Sequence, residues 1–235
     1  MSRRRWIADQ VSGSRAVLAG EQAVHLAKVL RARVGQEFDI AADGRLRLGR
    51  VASIHPDKVE FELGEEIQAP ALPDVTLVLA IFKFDRMEWA IEKATELGVT
   101  RIVPLIAKRT EAHLASAAQK RVERWRRITR EAAQQSRRVA PPEISAPVRI
   151  ENVYATAADR RVVLSEAEDQ VSLKQALAGA RNNLALAIGP EGGWTAEEEQ
   201  GFRNHAWIAA SLGPTILRVE TAAIAAISIV MSEIM

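Results

Sequence analysis

The chain of 235 residues contains no cysteine. That excludes disulfides, thiolate nucleophiles and Cys-ligated zinc, and it fits a reducing, cytoplasmic setting. Histidine is scarce: His25, His55, His113 and His205 are scattered and form no metal-ligand spacing, so no metal is expected. Long hydrophobic runs are also missing. The longest near-apolar stretch, Ala222 to Met231, is too short to span a bilayer, so no membrane role is expected. The basic start, MSRRRWIADQ, has no apolar core behind it and does not read as a signal peptide. What is present is ordinary for a globular protein, with 48% hydrophobic and 26% charged residues. The charge is unevenly spread. Lys120 to Arg138 holds eight Lys or Arg against two Glu, a local charge of +6 in a chain whose total is +2. Such a patch on a nearly neutral protein fits a polyanionic partner, although a solvated helix face has the same composition.

Two stretches near the C-terminus organise the chain, AIGPEGGWTAEEE from Ala187 to Glu199 and LGPTILRVETA from Leu212 to Ala222. In the first, the apolar run Leu184–Ile188 reads as a buried strand that stops at Gly189. Gly192 and Gly193 allow close backbone approach, and Thr195 with Glu198 predicts a capping box. In the second, the run Trp207–Leu212 ends at Gly213-Pro214, and a long apolar helix begins near Glu220. Neither is a Walker loop, because no Gly-Lys-Ser/Thr follows, and the spacing is wrong for a dinucleotide fingerprint. One such loop alone would be a tight turn. Two of them at strand ends point to one small-molecule site.

The first 70 residues predict a small β-rich unit. Strands are expected near Ala16–Leu18, Glu37–Ala41, Arg45–Val51 and Lys58–Leu63, with a helix over Glu21–Arg31 and a hairpin turn at Asp43-Gly44. Ala69 to Pro73, with two prolines, marks the boundary. Beyond it strand and helix alternate: Val75–Ile81, a helix Asp85–Leu97 with Asp85 as N-cap, Ile102–Ile106, then a helix from about Ser116 to Ser136. Val122, Trp125, Ile128, Thr129 and Ala132 share one arc of that last helix, and Lys120, Arg124, Arg126, Arg127 and Arg130 the other. Arg161–Leu164, a helix Ser172–Ala180 and Asn183–Ile188 follow. Alternation of this kind predicts a mostly parallel α/β sheet.

The paired glycine motifs together resemble the signature of the 16S ribosomal RNA uracil-N3 methyltransferases, a family of the SPOUT class. FKFDRMEWAIEKATELGVTRIVP resembles that family at Lys83, Asp85, Arg86, Glu88, Lys93, Glu96, Leu97 and Gly98. EAAQQSRRVAPPEI does so at Glu131, Gln135, Ser136, Arg138 and Pro141, and HLAKVLRARVG, which contains Arg31, resembles its PUA-like domain. The resemblance implies a PUA-like β-barrel over residues 1–70 and a SPOUT α/β domain with a trefoil knot over 71–235. It also implies S-adenosylmethionine as cofactor, small-subunit ribosomal RNA as substrate, and a homodimer. By the same resemblance Leu164, Ile188, Gly189, Pro190, Glu191, Gly192, Gly193, Leu212, Gly213, Ile216 and Leu217 would line the cofactor site. Arg218 and Glu220 would lie beside the reacting centre. Lys83, Arg86, Arg124, Arg127, Gln135, Ser136, Arg138 and Arg31 would meet RNA. Thr215 and Val219 depart from the family pattern, standing where arginine and threonine are common. Two other readings stay open: methylation of another RNA nucleoside or a ribose 2′-hydroxyl, and a non-catalytic RNA-binding module.

Overall fold

The computed structural model describes residues 4–69, 71–181 and 183–235. Residues 1–3 of the basic N-terminus and Pro70 of the boundary segment lie outside the described residues. The chain divides into two compact units, Met1–Ala71 with Ala133–Pro141, and Leu72–Ala132 with Pro142–Met235.

The first unit is a curled six-stranded sheet. It contains β1 (Arg5–Ile7), β2 (Gln10–Ser12), β3 (Arg15–Ala19), the short helix α1 (Gly20–Val24), β4 (Glu37–Ala42), β5 (Arg45–Ile54) and β6 (Lys58–Ile67). Strand order is β1-β4-β5-β6-β3-β2, antiparallel except for the β1–β4 pair. Alternate residues such as Leu18, Ile40, Val51, Val59 and Phe61 point inward to one core, as the period of two requires. The helix expected over Glu21–Arg31 is not regular. Past α1 it widens into a π-turn at His25–Val29, with the Leu30 amide donating to His25 O at 3.0 Å, and ends at Arg31 with φ 51°. The segment 133–141 belongs here for a visible reason. The Gln134 side-chain amide accepts from Ile7 N at 2.7 Å and donates to Arg5 O, closing the free edge of β1 as a neighbouring strand would.

The second unit is a parallel sheet covered on both faces. In order it runs β7 (Asp74–Ala80), α2 (Phe84–Glu96), β8 (Arg101–Ile106), α3 (Ala112–Ala117), α4 (Val122–Gln135, whose last turn groups with the first unit), β9 (Glu143–Ile144), β10 (Val148–Arg149), α5 (Glu151–Tyr154), β11 (Arg160–Leu164), α6 (Leu173–Ala176), β12 (Asn183–Ile188), α7 (Ala196–Asn204), β13 (Ile208–Ala210) and α8 (Val219–Ile234). The sheet order is β10-β8-β7-β12-β11-β13, with β9 also on β8, and every pair is parallel. The apolar runs of β7 and β12 sit at its centre because both of their faces are buried. Leu77, Leu79, Leu184 and Leu186 face the core shared with α2 and α8. Val78, Ala80, Ala185 and Ala187 face Trp194, Phe202 and Trp207. Small residues on that face leave room for the aromatic rings, and Phe202 makes edge contacts with Tyr154, Trp194 and Trp207. Among the described residues no helix is long and apolar enough to cross a membrane.

Three local expectations are corrected. Asp85 is not the N-cap of α2; Lys83 holds that position without a side-chain bond, and Asp85 lies in the first turn, where a carboxylate still favours the helix dipole. The helix expected from Ser116 begins at Ala112 and passes through a 3₁₀ turn at Ala118–Arg121 before α4. The one expected over Ser172–Ala180 is a single turn, capped by Ser172 and Gln175.

Gly201 in α7 tests the aromatic cluster. An alanine there should favour an isolated helix, by up to about 1 kcal/mol. Here its Cβ would overlap the Tyr154 ring and hydroxyl. Gly201→Ala is therefore expected to lower stability by about 1–3 kcal/mol in urea unfolding. An increase would mean that Tyr154 moves aside freely.

Candidate cofactor site

Three neighbouring parallel strands end together: β12 at Ile188, β11 at Leu164 and β13 at Ala210. The loops that leave them surround a cavity of about 780 Å³. This is the expected place for a ligand in an open parallel sheet, beyond the carboxyl ends of the strands. The cavity size suits a nucleoside-sized molecule.

The first loop, Gly189–Thr195, is shaped by its glycines and its tryptophan. Gly193 has φ 69°, a conformation that favours glycine. A Cβ at Gly189 would stand 3.1 Å from the Trp194 indole, so any larger residue would push the ring back by a few tenths of an ångström. The indole Nε1 donates to Leu164 O at 2.8 Å and ties this loop to the end of β11. The Thr195–Glu198 capping box starts α7 as the sequence predicts. Glu198 does more than cap. It is 1% exposed, and its carboxylate accepts from Thr195 N at 2.9 Å and from Lys108 N at 2.8 Å. The second loop, Leu212–Leu217, turns at Gly213 with φ 127°. Its exposed middle leads into Arg218, the N-cap of α8.

Of the residues named for the cofactor, Leu164, Ile188, Gly189, Pro190, Gly192, Gly193, Leu212, Gly213, Ile216 and Leu217 line the cavity together. Glu191 does not; its carboxylate lies 3.7 Å from Arg86. Arg218 and Glu220 are also outside the lining, although Leu217 and Val219 on either side of Arg218 belong to it. Arg218 is exposed and forms no ion pair among the described residues. Glu220 is buried, with Oε1 3.6 Å from Arg86 and no hydrogen-bond donor on Oε2 among the described residues.

The residues named for RNA are not gathered at this cavity. Lys83, Gln135 and Arg31 are exposed. Arg86 is engaged by Glu191 and Glu220. Arg124 pairs with Glu88 at 2.8 Å and Arg127 with Glu131 at 3.7 Å. The Ser136 hydroxyl faces Ala133 O at 3.5 Å. Arg138 is 9% exposed, and burial pulls its pKa down to about 10.

Sequence reading missed a third loop and one cation. Ser165–Gln170, after β11, supplies Glu166, Glu168 and Asp169 to the rim, and α7 adds Glu199. Glycine-free loops give no motif signal, which is why this one went unnoticed. Arg109 is the one cationic residue lining the cavity among the described residues, against those four carboxylates. A lining of this charge suits a ligand that carries positive charge together with a carboxylate. S-adenosylmethionine has a sulfonium, an ammonium and a carboxylate, so the donor set fits it.

Replacing Glu198 by alanine would leave two backbone amides without an acceptor. Leaving a buried donor unpaired costs about 1–3 kcal/mol each. Glu198→Ala is therefore expected to destabilise the protein by about 2–6 kcal/mol in denaturant unfolding. A loss below 1 kcal/mol would show that water replaces the carboxylate at no cost.

Comparison with known proteins places this geometry. Residues 70–231 match the family described as the RNA methyltransferase domain, and residues 18–64 match the RNA methyltransferase PUA domain. The chain is 31% identical over 207 residues to ribosomal RNA small subunit methyltransferase E of Aquifex aeolicus, covering 87% of this chain and 89% of that one. It is 34% identical over 228 residues to the protein of the same name from Mycobacterium bovis, covering 93% and 87%. Among solved structures, that methyltransferase from Neisseria gonorrhoeae bound to S-adenosylmethionine superposes with a TM-score of 0.80 at 28% identity, covering 96% and 95%. A Legionella pneumophila chain described as a methyltransferase, with bound cofactor, superposes with a TM-score of 0.82 at 26% identity, covering 99% and 98%. With family matches on both units and relatives alike over nearly their whole length, the chain belongs to the RNA methyltransferase family, as a PUA-domain member that uses S-adenosylmethionine.

Proposed function

We propose that this chain methylates N3 of a uridine in small-subunit ribosomal RNA. The carrying observation is the cavity beyond β11, β12 and β13, with its glycine loop and its excess of carboxylates. It supports a cationic methyl donor held within a family of RNA methyltransferases. S-adenosylmethionine supplies there a methyl group made electrophilic by a positively charged sulfur. The lining residues Leu164, Ile188 and Leu217 offer an apolar floor, and the glycine loop offers backbone polar groups.

The protein side of the reaction concerns the base. N3 of uracil carries a proton and lies on the base-pairing edge, so the uridine must be unpaired or flipped out. Arg218 follows a lining residue, is exposed and is not engaged by an acid among the described residues. Its guanidinium remains protonated and can donate to a uracil carbonyl as negative charge develops. The Glu220 carboxylate has an oxygen with no donor among the described residues and is our candidate to take the N3 proton. Lys83, Arg31 and Gln135, all exposed, and the charged arc of α4 would hold RNA. In the pair Arg127–Glu131 both side chains are exposed, at 66% and 64%, so phosphate can exchange for that carboxylate at little cost; Arg124 is 49% exposed but rests on Glu88, which is only 12% exposed.

Nucleoside mass spectrometry on small-subunit ribosomal RNA treated with the purified protein tests this reading. 3-Methyluridine is the expected product. A methylated ribose, or no product with RNA and cofactor both bound, would overturn it. Arg218→Ala should reduce turnover by about 10²–10³ while cofactor affinity stays, since it removes one donor to developing charge. Lost cofactor binding in that variant would make Arg218 a structural residue.

We further infer a homodimer, with the two glycine loops forming part of a trefoil knot. Helix α8 supports the dimer: Ile224, Ala225 and Ile229 are only half-buried on an otherwise apolar helix. Light scattering at micromolar concentration should give twice the mass of 25.8 kDa. A stable monomer would refute the dimer.

A further inference from the structure

We propose that Arg109 is a positioning residue for the cofactor loop, acting through the loop's peptide planes. The inference rests on the reading that S-adenosylmethionine binds in the cavity beyond β12. Arg109 stands in the short turn after β8, far in sequence from either glycine motif. The turn is itself rigidly closed: Ala107 N donates to Thr110 Oγ1 at 3.0 Å, and Thr110 N donates back to Ala107 O at 3.1 Å. The neighbouring Lys108 amide is fixed on the buried Glu198 carboxylate. Arg109 therefore projects from a turn held at both of its flanks.

Its guanidinium grips the loop at two carbonyls. Nη1 donates to Gly192 O at 2.6 Å and to Trp194 O at 3.1 Å. A peptide group is planar, and in its trans form the carbonyl and the following amide point to opposite sides. Fixing one edge and then the other removes the rotation of the whole plane. Both peptides held by Arg109 are also held on the opposite edge. Gly193 N, on the Gly192 peptide, donates to Pro190 O at 2.8 Å. Thr195 N, on the Trp194 peptide, donates to Glu198 Oε2 at 2.9 Å. The Trp194 side chain between them is tied to Leu164 O. Arg109 thus supplies the missing edge for two clamped planes, on either side of the Gly193–Trp194 peptide.

Gly192 shows how close the contact is. A Cβ there would lie 3.3 Å from Arg109 Cδ and 3.6 Å from its Cβ, so the arginine stem passes directly over the loop backbone. Without that stem and its two donors, the loop would have to be ordered by the ligand at the ligand's own cost. Pre-ordering of this kind raises affinity by removing an entropic penalty from binding. Arg109 is exposed and lies outside every hydrophobic cluster, so its removal should spare the core.

The test uses the full chain with Arg109→Met, which keeps the stem and removes the donors, and Arg109→Lys, which keeps the charge without the fork. Calorimetry should show S-adenosylmethionine binding to Arg109→Met at least about tenfold more weakly, and to Arg109→Lys by an intermediate amount. KM for the cofactor should rise more than kcat falls. Hydrogen exchange in the ligand-free protein should be faster at the Gly193 and Thr195 amides, while the amides of β7 and β12 exchange as in the parent. That last readout reports the loop and not the fold. Cofactor affinity within twofold of the parent in folded Arg109→Met would overturn the proposal. So would unfolding of Arg109→Met together with parental affinity and parental loop exchange in Arg109→Lys. If the parent itself binds no S-adenosylmethionine, the reading of the cavity fails instead, and the exchange measurement still decides whether Arg109 holds the loop.

Discussion

The carboxylate of Glu198 is taken out of water and kept there by two backbone amides. An isolated buried charge is costly, and its burial is tolerated only with donors on its oxygens. Here one donor comes from the helix that Glu198 itself begins, and the other from Lys108, ninety residues earlier in the chain. The result is a single fixed point that joins the end of the cofactor loop to the turn after β8. The rest of the site is referred to that point. Trp194, just before the capping box, reaches β11, and Arg109, just after Lys108, reaches back over the loop. The aromatic cluster of Tyr154, Phe202 and Trp207 holds α7 in place behind it.

How much of this could be read from the sequence follows from the range of each interaction. The capping box at Thr195 and Glu198 is a three-residue signal, and it appears where predicted. The central strands were readable because burial on both faces leaves a continuous apolar run. Interactions across long separations were not readable. Nothing around Arg109 marks it as a partner of a loop 83 residues away. The rim of Glu166, Glu168 and Asp169 looks like any solvated turn until β11 is placed between β12 and β13. Arg138 shows a different limit of composition. It belongs to a basic run, yet it is buried beside Arg137, which has φ 58°, so its exposure could not be read from composition.

The basic helix shows where charge counting stops being informative. The sequence places a local charge of +6 there, yet in the folded unit Arg121 and Arg124 share Glu88, and Arg126 leans on Glu123. Glu88 sits on α2, outside the basic run, so part of the field is cancelled by a residue the count never included. The exposed pair Arg126–Glu123 stabilises the fold only slightly, whereas Glu88 is 12% exposed and holds its two arginines from a largely buried position. The more useful consequence of these pairs is orientation. The acids hold the guanidinium groups in defined places and can yield them to a denser anion, so neutralisation within the protein and binding of a polyanion do not exclude one another.

The two glycine loops differ in how they are held, and the difference matters for chemistry. The first is anchored by Arg109, by the Trp194 indole and by the capping box. Among the described residues the second has a single short side-chain tether, the Ser211 hydroxyl against Gly213 N and O, and Pro214 to Ile216 stand in solvent, with Ile216 80% exposed. A loop with few buried contacts opens at low free-energy cost. A rigid wall keeps the reacting group in place, because small displacements in a methyl transfer are costly. The less anchored wall is exposed over Gly213–Ile216 and leads directly into Arg218, the N-cap of α8. The anchored loop thus presents its backbone with little left to order on binding, whereas the exposed loop carries the approach to Arg218.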